Sequence, residues 1–253
     1  MTIAVASGKG GTGKTTVAVT LARISSKRGA DTAIIDCDVE APNANLFVKM
    51  DVNVMDTVYV PSPVVSLDRC TGCGRCERIC RFNAIALVGS EPMVFQDLCH
   101  HCGGCALVCP EQAISETPRR IGVIEEGCEG PLCYAGGRLD IGEAMSPPLI
   151  NAVKKHLHTA DVRIIDAPPG TSCPAVAAVD GASYVVLVAE PTPFGLNDFT
   201  LAVGMTRALG IPFGAFINRS DMGDDGLERY CAREGIEVLA RIPYSREIAE
   251  RYS

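Results

Sequence analysis

The segment Gly8-Lys9-Gly10-Gly11-Thr12-Gly13-Lys14-Thr15-Thr16, directly after the apolar run Ile3-Ala4-Val5-Ala6, leaves few folds open to this chain. It satisfies G-x-x-x-x-G-K-[ST], with a strand pattern before it and a helix pattern after. Glycines let the backbone curl so that its N–H groups point inward at phosphate oxygens, and the helix dipole adds to the attraction. Gly10, Gly11, Thr12, Gly13, Lys14, Thr15 and Thr16 would then cradle the phosphates of a nucleotide. Lys14 reaches the β- and γ-phosphates and the Thr15 hydroxyl ligates Mg²⁺. A glycine-rich turn without a ligand is the plainer alternative, and composition, spacing and context argue jointly against it.

The surrounding sequence agrees with this start. Near-continuous apolar strands are expected at Ile3 to Ala6, Thr32 to Asp36, Arg163 to Asp166, Tyr184 to Ala189 and Pro212 to Ile217. Between them run helical patterns, one from Lys14 with Val17, Leu21 and Ile24 on one face, another carrying Leu201, Met205 and Leu209. Such alternation predicts an α/β fold, a mostly parallel sheet with helices on both faces. In the less regular stretch 120–160, Ile121 to Glu125 reads as a strand and Pro148 to His156 as a helix.

Eight of the 13 cysteines fall between Cys70 and Cys109 and repeat at an offset of 29 residues. Cys70, Cys73, Cys76 and Cys80 map onto Cys99, Cys102, Cys105 and Cys109, and Asp68, Ala84 and Ile85 map onto Asp97, Ala113 and Ile114. C-x2-C-x2-C-x3-C is the bacterial ferredoxin spacing, in which the fourth cysteine ligates the other cluster. One [4Fe–4S] cluster is therefore expected on Cys70, Cys73, Cys76 and Cys109, and a second on Cys99, Cys102, Cys105 and Cys80. Cys109 is followed by Pro110 as the motif expects, whereas Arg81 follows Cys80. Zinc is the competing reading, with His100 and His101 beside Cys99, but a four-ligand zinc site has no use for the third and fourth cysteines of each repeat. The repeat reads as a small α+β ferredoxin-like insertion at 66–118, flanked by Pro61, Pro63 and Pro118, in an α/β domain whose halves are 1–65 and 119–253.

Cys37, Cys173 and Cys231 read as small buried hydrophobes. Cys128 and Cys133 flank Glu-Gly-Pro-Leu in a Gly-rich loop and read either as ordinary thiols or as a transient metal or cluster site. Arg69, Arg75, Arg78 and Arg81 stand in the first repeat, against Glu91, Asp97, Glu111 and Glu116, so the arginine side suits an acidic redox partner or is simply a solvated surface. A net charge of −7 argues against a nucleic-acid surface. No apolar run approaches the roughly 18 residues of a membrane span, no signal sequence is evident, and thirteen cysteines suit metal ligation better than disulfides, so a cytoplasmic protein is expected.

Lys9-Gly10-Gly11-Thr12-Gly13-Lys14-Thr15 resembles the deviant Walker A motif of the MinD/Mrp/ParA family of P-loop ATPases. The resemblance covers about 200 residues outside the cysteine repeat and implies ATP/ADP and Mg²⁺ as ligands. It implies that Lys9 crosses a nucleotide-dependent dimer to touch the partner's phosphates, as an arginine finger does. Ile34-Ile35-Asp36-Cys37-Asp38 is similar to the family's switch I, with Asp38 orienting the attacking water and Asp36 near the metal. Ile164-Ile165-Asp166-Ala167-Pro168-Pro169-Gly170 is similar to its Walker B and switch II, with Asp166 holding a Mg²⁺-bound water. Asn218 and Arg219 resemble the strand end that reads adenine, and Pro243 the segment against the base. The sequence closes on Glu250-Arg251-Tyr252-Ser253 without the basic amphipathic helix of MinD proper, so no stable membrane anchor is expected.

Fused to a ferredoxin unit, such an ATPase implies coupling of nucleotide state to iron–sulfur chemistry. Three functions are consistent with this: an ATP-gated electron-transfer protein, a metallocluster assembly or carrier ATPase, and a non-catalytic dimerisation switch. The partners implied are a second copy or a paralogue, and a redox or apo-metalloprotein client.

Overall fold

A computed structural model of the chain describes residues 1–247. Residues 248–253, where the lack of a membrane-targeting helix was expected, lie outside the described residues. The elements follow in the order β1 (Thr2–Ala6), α1 (Lys14–Lys27), β2 (Thr32–Asp36), α2 (Ala44–Val48), β3 (Asn53–Val65), α3 (Arg75–Ile79), β4 (Ile85–Val88), β5 (Glu91–Val94) and α4 (Gly104–Leu107). Then come β6 (Ile114–Glu129), β7 (Leu132–Leu139), α5 (Pro147–Val153), β8 (Val162–Asp166), α6 (Cys173–Val179), β9 (Tyr184–Ala189), α7 (Pro193–Ala208), β10 (Phe213–Asn218), α8 (Gly226–Glu234) and β11 (Val238–Ile242).

Nine strands form one sheet in the order β11-β10-β9-β1-β8-β2-β7-β6-β3. From β11 to β7 all neighbours are parallel; β6 and β3 continue it as antiparallel strands at one edge. Because successive side chains alternate between faces, each central strand feeds two cores. Val5, Ile34 and Ile164 pack with Val17 and Ala18 of α1 on one face. Ala4, Ile35 and Ile165 pack with Leu149 of α5, Ala178 of α6 and Phe199 of α7 on the other. Parallel strands all end on the same side, which carries Asp36, Asp166 and Asn218 to one rim of the sheet.

The expected central elements lie where the patterns put them, and the stretch 114–139 differs. Instead of a short strand at Ile121 to Glu125, β6 runs 16 residues and turns into β7, which sequence reading missed. Strands β3 and β6 pair from Asn53↔Glu126 to Val65↔Ile114, so the segment between them is joined to the main sheet by one continuous ribbon rather than by hinge loops. The expected boundaries at residues 65 and 119 therefore fall on paired strands. At the ribbon's far end β4 pairs with β5 as Ile85↔Val94, the counterpart of Val65↔Ile114 under the 29-residue repeat. The likeness reaches the backbone: left-handed Gly72, Gly74 and Asn83 recur as His101, Gly103 and Gln112. This lobe's small core is Cys76, Ile85 and Ile114, with Cys80, Cys105 and Cys109 against it. A core so short of carbon is of the small kind that natural domains supplement with metals or disulfides.

Candidate functional site

The phosphate loop bridges β1 and α1, and two close approaches fix its shape. A Cβ on Gly8 would stand 2.0 Å from the Asp198 carbonyl oxygen of α7. Gly13 precedes α1 at φ 88°, and a Cβ there would lie 2.4 Å from Asn218 Nδ2. That same amide nitrogen donates to the Thr12 carbonyl at 2.8 Å, so the end of β10 supports the loop. Gly10 and Gly11, by contrast, face open space at the loop's mouth.

Lys14 is buried, and its Nζ lies 3.2 Å from Asp166 Oδ1. The other Asp166 oxygen and the Thr12 hydroxyl are both buried without a hydrogen-bond partner. Burial raises the Asp166 pKa, against the pull of the Lys14 charge and a hydrogen bond from Thr15. A buried carboxylate with one oxygen lacking a partner, and with the Thr15 hydroxyl against it, suits a hard divalent cation.

Asp36 has another task. Its Oδ1 accepts the amide of Asp38 at 3.1 Å, and its Oδ2 accepts those of Asn43 and Ala44, each at 3.0 Å. Both oxygens are thus occupied by the loop leading into α2. Asp36, expected near the metal, thus holds this loop in place at the rim of the sheet. Burial, and next the Asp166 charge, push its pKa up to about 7 in spite of the three amides. Asp38 is half-buried; burial raises its pKa and Lys14 opposes the rise.

Beside the loop opens a groove of about 620 Å³, within the range of small-molecule sites. It brings together Gly13, Thr16, Asn218, Arg219 and Pro243 with Leu21, Ile24, Phe216 and Tyr244. Ile24, expected on the packed face of α1, is 45% exposed because that end of the helix lines the groove. Lys9 Nζ stands 3.7 Å from Glu190 Oε2, and Glu190 Oε1 is 2.7 Å from Arg219 Nη1.

The cysteines of the lobe gather in two groups. Cys70, Cys73, Cys76 and Cys109 line one cavity; Cys80, Cys99, Cys102 and Cys105 line another. Each cavity thus takes three cysteines from one repeat and one from the other. The amides of Ala84 and Ala113 donate to the Cys80 and Cys109 sulfurs, both at 3.3 Å. All eight are free thiols. Among the described residues no group of three or more His, Cys, Asp or Glu side chains is placed to hold a single metal ion. His100 and His101 also line the second cavity; His101 Nδ1 meets the Pro61 carbonyl at 3.0 Å, and His100 stacks on Phe82 with ring centroids 3.5 Å apart.

Cys128 and Cys133 are not on a loop. They face each other across the β6–β7 hairpin, joined as a disulfide. Bonded to each other they offer no thiolate to a metal, which corrects the transient-site expectation for this state. Cys133 also pairs with Ala33 in β2, three residues or about 10 Å short of the Asp36 rim. The hairpin tip therefore points away from the phosphate loop.

Residues 3–253 match the CobQ/CobB/MinD/ParA nucleotide binding domain family. The chain belongs to this family. An uncharacterised protein of Methanocaldococcus jannaschii is 38% identical over 228 residues, covering 88% of this chain and 80% of its own. An iron-sulfur cluster carrier protein of Pyrococcus horikoshii is 26% identical over 263 residues, covering 98% of this chain and 75% of its own. Among solved structures, the septum site-determining protein MinD complexed with Mg-ADP, from Pyrococcus horikoshii, superimposes with a TM-score of 0.59 at 21% identity. That alignment covers 100% of this chain and 85% of the other.

As a MinD/ParA-type P-loop ATPase domain, the chain accounts for the loop, the parallel sheet and the rim of carboxylates. Sequence reading missed Glu190, because a single acid after an apolar strand carries no motif. Among the described residues no helix is long and apolar enough to cross a membrane.

Proposed function

We propose that this MinD/ParA-type ATPase couples Mg-ATP binding and hydrolysis to electron transfer through two [4Fe–4S] clusters. The clusters sit on Cys70, Cys73, Cys76 and Cys109, and on Cys99, Cys102, Cys105 and Cys80, in a ferredoxin-like insert at 66–118. The observation that carries the reading is the crossed arrangement of two four-cysteine cavities, three cysteines from one repeat and one from the other around each. Soft thiolates with amide donors aimed at sulfur fit an iron–sulfur cluster. Bound there, the clusters supply one-electron carriage between external donor and acceptor proteins.

The ATPase half of the reading assigns each residue a task. The loop amides and Lys14 bind the phosphates, Thr15 and Asp166 hold Mg²⁺, and Asp38 orients the attacking water. Water attacks the γ-phosphorus as the bond to the β–γ bridging oxygen breaks, giving ADP and inorganic phosphate. Asn218, Arg219 and Pro243 receive the base. Lys9 acts across a nucleotide-dependent dimer, with a second copy or a paralogue. Covalent continuity supports coupling: the loop that Asp36 holds runs through α2 straight into β3, which leads to the cysteine lobe. A rearrangement of switch I would bear on the root of the ribbon.

A second reading, a cluster carrier, is favoured by the names of the Pyrococcus relatives. It finds less support in the chain, where the cysteines outside the repeat that resembled a cargo site are disulfide-bonded. An EPR-monitored redox titration of anaerobically purified protein, with and without Mg-ATP, separates the two. Two [4Fe–4S] signals with a nucleotide-dependent shift support gated electron transfer. Clusters that leave for an apo-acceptor on ATP addition support the carrier, and no iron signal removes both.

A further inference from the structure

Glu190 joins the two ends of the nucleotide site. It follows β9 in the turn that enters α7, a turn fixed by the Thr192 hydroxyl accepting the Gly195 amide at 3.0 Å. The same helix supplies the Asp198 carbonyl against which Gly8 is packed, so the turn and the phosphate loop share one support. The Glu190 side chain is only 11% exposed, and its two oxygens serve two cations. Arg219, on the wall of the base groove, is held at 2.7 Å in a hydrogen-bonded ion pair. Lys9, in the phosphate loop, is held at 3.7 Å, beyond hydrogen-bond distance, with its side chain 33% exposed. The two arms are unequal: the arginine is bound and the lysine only attracted.

Resting on the nucleotide reading of this groove, we propose that Glu190 is a positioning residue that retains Lys9 in the ligand-free site, so that polyphosphate must compete with a carboxylate for this lysine. Because Arg219 takes part of the same carboxylate, the hold on Lys9 depends on Arg219 at the base end. A nucleoside without phosphates does not draw Lys9 away, whereas a triphosphate does. Glu190 therefore sets how strongly the site prefers a triphosphate over the bare nucleoside.

The test is the ratio of Mg-ATP to adenosine affinity, measured by calorimetry on the anaerobically purified full chain. Glu190→Gln keeps the shape and removes the charge; the ratio is expected to rise roughly two- to fivefold, the scale of a partly exposed ion pair. Arg219→Met leaves Glu190 to Lys9 alone, so the ratio should move the other way, whether or not the first variant folds. In a Lys9→Gln background, Glu190→Gln should no longer change it. An unchanged ratio in both single variants, or an undiminished Glu190→Gln effect without Lys9, overturns the inference while leaving the nucleotide site standing. Failure of the unaltered protein to bind Mg-ATP overturns both.

Discussion

Lys14 Nζ lies 3.2 Å from one oxygen of Asp166, and the other oxygen of that carboxylate is buried with no partner. The ammonium answers half of a buried negative group and leaves the rest to a cation. Asp166→Asn keeps the size and removes the charge. Mg²⁺-supported ATP hydrolysis should fall by about 100-fold or more, since metal positioning at a phosphoryl site carries that much of the rate. Nucleotide affinity measured in EDTA should change little, because Lys14 is then freed for phosphate. Equal losses with and without Mg²⁺ would contradict the metal role.

Asp36 gives the free protein an unusual pH response. Its folded pKa of about 7 stands above the ordinary 3.8, so across the interval between them the folded chain holds a proton that the unfolded chain has lost. That contribution to stability is full near the lower value and is lost as pH rises through about 7. His101, whose pKa burial lowers, works in the opposite sense but only below its ordinary 6.5. From pH 6.5 to 8 the unfolding temperature of the nucleotide-free protein should therefore fall. Mg-ADP should flatten the decline, because a cation beside Asp166 relieves the repulsion that helps raise Asp36. A temperature that climbs over this range without ligand would refute the account.

The parts most legible in the sequence are those whose pattern is local. Gly8 to Thr16 is a contiguous loop, and the eight cysteines keep their spacing whatever surrounds them. The ribbon was missed because β3 carries Pro61 and Pro63, which demote a segment as a strand. They are tolerated because β3 is the sheet's edge. Ile24 misled for a related reason: an apolar stripe looks the same whether it packs on a core or lines a ligand groove. Asp36 also meets Asn43 and Ala44, and Glu190 meets Arg219, and no short motif joins these partners.

Cys109 lines the cavity of Cys70, Cys73 and Cys76, although it belongs to the other repeat. This crossing yields a test by iron count. Cys73→Ser with Cys109→Ser damages one ligand set twice, so one intact [4Fe–4S] signal should survive. Cys73→Ser with Cys80→Ser damages one ligand in each set, so both signals should be lost or converted. If each repeat held its own cluster, the two double variants would exchange phenotypes. Iron analysis and EPR on the reduced proteins decide it.

Gly8 and Gly10 are two residues apart in the same loop, yet their surroundings differ. At Gly8 a methyl group would meet the Asp198 carbonyl at 2.0 Å, a backbone atom that can yield only if α7 or the loop moves. At Gly10 nothing stands within 4 Å. Gly8→Ala should therefore cost about 1–3 kcal/mol of stability, the usual scale of overpacking, and weaken nucleotide binding by distorting the loop. Gly10→Ala should leave the unfolding temperature of the nucleotide-free protein within about a degree or two of the original. It should still weaken Mg-ATP binding, because its methyl group enters the space the phosphates need. A Gly10→Ala protein that binds Mg-ATP normally would mean that the loop's open side is not where phosphate sits.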